Sequence, residues 1–199
     1  MSDMQKNIGK NQAGCKEKRA LRRDIMLLGN VRVLCMAAMF AAMAVVLGYL
    51  AKLIFGAAPI RVTFENLPII FCGVSFGPFA GGACAIVADL ASCLITGQPI
   101  NPLITVGALC VGFVSGFVAN YILRGRNFIS VLVIEFLAHL IGSMILKSLA
   151  LHLFWNVAWA TLLLRIPVYL FITVLEAYFL WVLFKNKNVC KLIKGVREK

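Results

Sequence analysis

RVTFENLPIIFCGVSFGPFAGGACAIVAD, residues Arg61 to Asp89, decides the fold. It interleaves apolar residues with backbone breakers and the charged Arg61, Glu65 and Asp89, a mixture suited neither to a soluble core nor to a plain membrane helix. As one helix, the run from Leu67 to Thr96 would extend about 45 Å, against a hydrocarbon core of about 30 Å. Gly77-Pro78 and Gly81-Gly82 interrupt it near the middle, because proline removes a backbone donor and glycine frees the chain. The stretch therefore predicts two short or tilted helices, segments two and three, joined by a tight uncharged turn inside a membrane.

Outward from that turn, the 199 residues are 61% hydrophobic with a mean hydropathy of +0.91. Several apolar runs approach the length of a membrane span, which excludes a soluble globule and predicts an all-α polytopic membrane protein. The net charge of +12 raises the question of nucleic acid, but its distribution argues for a membrane. Eight Lys/Arg lie in residues 1–32, two at Arg124 and Arg126, and six in residues 185–199. A bundle of six transmembrane helices with both termini cytoplasmic puts all three patches inside, as the positive-inside rule asks. The expected organisation is a basic cytoplasmic tail (1–30), a six-helix membrane domain (31–185) and a second basic cytoplasmic tail (186–199), with the tails facing anionic headgroups. Seven cysteines are scattered without a CxxC or a zinc spacing, and they read as small buried apolar residues.

Segment one, about Val31 to Ala51, contains AAMFAAMA, in which Ala37/Ala41 and Ala38/Ala42 form two overlapping small-residue pairs. Such pairs let another helix approach closely, either within the chain or from a partner. A loop carrying Arg61, Phe64 and Glu65 follows. Asp89 lies in segment three, where an ionisable residue needs a helix-to-helix hydrogen bond or a ligand. GQPINP (97–102) turns the chain into segment four, about Leu103 to Leu123, which bears the Gly112/Gly116 pair. Segment five, about Phe128 to Phe154, carries Glu135, His139, Ser143 and Lys147 in steps of four, a polar stripe that must face the bundle. Glu135 and His139 either pair with each other or serve function. Two histidines thirteen residues apart, without a third ligand at an obvious spacing, argue against a metal site. Segment six, about Trp159 to Phe184, presents Arg165, Tyr169, Thr173 and Glu176 along one side. Lys147 and Arg165 fall at similar depth near the outer face, where they suit an anionic ligand or snorkel to the interface. Trp155, Trp159 and Tyr169 offer flat surfaces to an aromatic ring or form an interfacial belt.

The sequence has no GxxxxGK[ST] phosphate loop, no GxSxG, no HExxH and no GxGxxG after a strand, so neither a nucleotide-driven motor nor a familiar hydrolase is encoded. An ATP-driven transport cycle would need an ATPase on another chain.

Six short spans, the alanine pairs, and Arg61-x-x-Phe64-x-x-Leu67-Pro68 followed by Gly73, Gly77-Pro78, Gly81 and Asp89 resemble the substrate-binding S component of an energy-coupling factor (ECF) vitamin transporter. Within that group the chain is most similar to the folate-specific members, and the likeness covers nearly all of residues 31–185. The resemblance implies a bacterial multi-pass protein without a cofactor that captures a vitamin near its outer face. It also implies a membrane coupling subunit as partner, bound to two cytoplasmic ATPases, with Ala37, Ala38, Ala41 and Ala42 as the docking face. For folate, Glu65, Asp89 or Asn101 would read the pterin edge. Phe64, Trp155, Trp159 or Tyr169 would stack, and Arg61, Lys147 and Arg165 would face the carboxylates. The competing readings are an S component for a pantothenate-, thiamine- or queuosine-type compound, a secondary transporter with Asp89, Glu135 and His139 as proton relay, and an intramembrane enzyme.

Overall fold

The computed structural model describes Met26 and residues 28–55, 64–123 and 127–197, apart from the side chains of Phe55, Trp155, Ala160, Leu164, Arg165 and Arg197. The described residues are helical, with no strand among them. In chain order they form α1 (Val31–Phe55), α2 (Asn66–Phe76), α3 (Pro78–Thr96) and α4 (Pro102–Phe117), the last continued by a π-helical Val118–Ile122. Then come α5, built from Phe128–Ala138, a π-helical His139–Leu146 and Lys147–Trp155, and finally α6 (Trp159–Lys185) and α7 (Lys187–Arg197). Among the described residues, five helices are long and apolar enough to cross a membrane: Val31–Ile54, Pro78–Thr96, Pro102–Ile122, Phe128–Phe154 and Thr161–Lys185. The remaining apolar helix, α2, has 11 residues and is about 16 Å long, roughly half a hydrocarbon core.

The break between α2 and α3 falls at Gly77, with φ 101° and ψ 173°, a conformation open to glycine. Its N–H donates to the Gly73 carbonyl, and Pro78 opens α3 at a position where no donor is needed. Gly81 and Gly82 do not break the chain as expected; they lie inside α3, and Gly81 serves close packing instead. A Cβ on Gly81 would sit 2.5 Å from the Gly112 carbonyl oxygen and 2.6 Å from Gly73 Cα. One on Gly116 would sit 2.6 Å from Pro78 N, and one on Gly112 would collide with the Gly81 carbonyl. The Gly112/Gly116 face of α4 is therefore the seat of the α2–α3 hairpin, backbone against backbone. On another side of α4, a Cβ on Gly142 would collide with Val111 and lie 2.7 Å from the Gly107 carbonyl, which seats α5.

The polarity is that of a protein in lipid. Ser75, Ser115, Glu135, His139, Ser143 and Glu176 are buried, while Ile54, Leu94 and Ile129 are 73%, 75% and 72% exposed. The carboxyl-terminal tail is helical: α7 buries Ile193 against the bundle and exposes Lys187, Lys191 and Lys194, an amphipathic arrangement suited to a membrane surface.

Gly112→Leu is expected to cost about 1–3 kcal/mol and lower the thermal midpoint in detergent by several degrees. Gly195→Leu, at a position with open space within 4 Å, should not lower it.

Candidate functional site

At one end of the bundle the carboxyl-terminal turns of α1 and α3 are tied together. Lys52 Nζ donates to Thr96 Oγ1 at 3.1 Å and to Gln98 Oε1 at 3.2 Å. Gly97, in the left-handed region at φ 63°, ends α3. Asn101 then starts α4, its side chain accepting from Leu103 N at 3.0 Å with Pro102 as the first helical residue. That cap fixes the next turn. The Thr105 hydroxyl lies 2.7 Å from Asp89 Oδ2 and 3.2 Å from the Asn101 carbonyl. A helix-to-helix hydrogen bond thus satisfies one oxygen of Asp89.

Just inside this end is a pocket whose polar lining is Glu65, Asn66, Asp89, Ser92 and Lys147. The rest of its wall includes Ala44, Ala85, Ala88 and Ala108, residues small enough to leave space among the five helices α1 to α5. Lys147 Nζ stands 3.8 Å from Glu65 Oε1, both side chains partly exposed. Glu65 reaches this position because α1 has no side chain at Gly48, where a Cβ would lie 2.8 Å from Glu65 Oε2. The space enclosed by the described walls is about 40 Å³, room for two or three waters.

The residues singled out from sequence separate into groups. Glu65, Asp89 and Lys147 come together in the pocket. Asn101 is a buried cap, one hydrogen-bonded step from Asp89. Phe64 is half-buried, its ring in edge contact with Phe179 at 6.2 Å. Tyr169 is half-buried with its ring 5.8 Å from His139. Trp159 is exposed and packs on His152 at 4.4 Å. Ala37 and Ala41 are buried within the chain, whereas Ala38 and Ala42 lie on the exposed face of α1 beside Met39 and Met43. Arg61 and the side chains of Trp155 and Arg165 lie outside the described residues. Sequence reasoning missed Gly48, Asn66 and Ser92. Gly48 had a signal, since a glycine in a span marks a close approach, but its partner is seventeen positions away.

A second polar group lies among fully buried side chains. His139 Nε2 is 2.6 Å from Glu176 Oε2 and 3.6 Å from Glu135 Oε2. The expected Glu135–His139 pair therefore exists as the longer of two contacts, and the closer partner comes from α6.

A double-mutant cycle of Glu65→Gln and Lys147→Met should give a coupling of about 1 kcal/mol in detergent unfolding, the upper range for a partly exposed pair.

The family model described as ECF transporter, substrate-specific component, matches residues 32–193, most of the chain and nearly all of the helical bundle. No curated protein matches the chain.

Proposed function

The chain belongs to the substrate-specific (S) components of ECF transporters, and from that premise we propose that it is a folate-binding member. S components are transporter subunits rather than enzymes; they bind substrate and work with a membrane coupling subunit and ATPases. The proposed topology counts α2 as a sixth segment, with both termini cytoplasmic and the pocket at the outer face of a bacterial cell membrane. The two ATPases are proposed to be cytoplasmic. Docking on the coupling subunit is assigned to the alanine motif of α1, with Ala38 and Ala42 at the contact and Ala37 and Ala41 holding α1 to its own bundle.

The observation that supports folate is the pocket's lining. Glu65 and Asp89 present acceptors to the amino and N–H donors of a pterin edge, and Asn66 and Ser92 add groups that both donate and accept. Asn101 supports this edge through Thr105. Lys147, joined by Arg61 and Arg165, would meet the glutamate carboxylates. Phe64, Trp155, Trp159 and Tyr169 would flank the aromatic parts of the ligand. One observation favours a second reading: Lys147 is already beside Glu65, so the described pocket holds two acids and one base. That balance also suits a cationic, donor-rich heterocycle of the thiamine type.

Folate added to the purified protein in detergent, without ATP or partners, is expected to quench tryptophan fluorescence at tight affinity, with thiamine, pantothenate and riboflavin failing to compete. Asp89→Asn and Lys147→Met should each weaken binding at least about tenfold. Gly48→Val should do so as well, by displacing Glu65. Displacement by thiamine together with unchanged affinity in Lys147→Met would establish the second reading.

A further inference from the structure

We propose that Glu135, His139 and Glu176 form a binding site for one divalent transition-metal cation, Zn²⁺ or Mn²⁺ in chemical type, that clamps α5 to α6. One ligating atom from each of the three residues lies within 4.8 Å of the others. The side chains are 0%, 1% and 0% exposed, so neither water nor headgroups reach them.

The charge balance points to a cation. Two carboxylates in a bundle that faces lipid carry a large desolvation penalty unless positive charge neutralises them. Among the described residues, the charged groups nearest on the pocket side, Glu65 and Lys147, are paired with each other. A proton shared by His139 Nε2 and Glu176 Oε2 accounts for the 2.6 Å contact and for nothing else. Among the described residues, both oxygens of Glu135 and Nδ1 of His139 have no hydrogen-bond partner. Protonation would neutralise Glu135 but would still leave its carbonyl oxygen, which accepts no hydrogen bond among the described residues, without a partner. A divalent ion brings the net charge of two carboxylates and a neutral imidazole to zero and gives Glu135 a partner.

The geometry agrees. Metal bonds of about 2.0–2.2 Å place neighbouring ligand atoms roughly 3.3 Å apart. The 3.6 Å contact already has that spacing, and the 2.6 Å contact would open by less than about 1 Å. One imidazole nitrogen with two carboxylates suits borderline ions better than Mg²⁺ or Ca²⁺, which prefer all-oxygen shells. The backbone is also irregular at this point: α5 turns π-helical at His139, a feature concentrated at functional sites.

The test is elemental analysis of the untagged full-length protein in detergent, with thermal unfolding in the presence of EDTA or added Zn²⁺ and Mn²⁺. About one equivalent of metal is expected, with a midpoint that falls on chelation and recovers on re-addition. Visible d–d absorption should appear after loading with Co²⁺. Glu135→Gln should lower metal affinity at least about tenfold, while folate quenching in this variant reports that the fold is intact. Wild-type protein that retains no metal and whose midpoint ignores chelator and added ions would overturn the proposal and leave a proton-only cluster. Loss of folate binding in wild type, with metal retained, would leave this site standing and remove the ligand assignment.

Discussion

The structure depends on how closely the α2–α3 hairpin approaches α4. In lipid, apolar area gives helices little reason to associate, so close van der Waals contact must hold the bundle together. Gly73, Gly81, Gly112 and Gly116 supply it, each positioned where a single methyl group would strike a neighbouring backbone or Ser115. Close approach here fixes where Asp89 stands relative to Thr105, because α3 and α4 run side by side from the glycine contact to that hydrogen bond. The pocket lies beyond the contact, where alanines take the place of glycines in its wall.

Most of this architecture was legible in the sequence. The length of the run from Leu67 to Thr96, set against the thickness of a bilayer, announced a break, and Gly77-Pro78 located it. Of the stripe Glu135, His139, Ser143 and Lys147, expected to face inward, the first three are buried and Lys147 is part-buried in the pocket wall. Gly81 and Gly82 were harder to interpret, because a glycine that bends a chain and a glycine that admits a neighbour are identical in sequence. Only the presence of Gly112 opposite Gly81 separates the two roles.

The polar groups were legible one helix at a time and not across helices. His139 could be paired with Glu135 from spacing, since both lie on α5; its closer partner, Glu176, is thirty-seven positions away. Periodicity gives a face and a depth but not the rotation of one helix against another. The same limit hid Gly48 from Glu65. It also divided the small residues of α1, whose two pairs lie one step apart in sequence, one turned toward the bundle and the other outward.

The length of α2 has a geometric consequence. Every other segment of the bundle is long enough to occupy a full column of the membrane, whereas α2 fills about half of one. The pocket is found at its amino-terminal turn, bounded by Glu65, Asn66 and Ile69. Within the described residues, the pocket therefore borders the start of a half-length helix, with longer helices forming the rest of its wall.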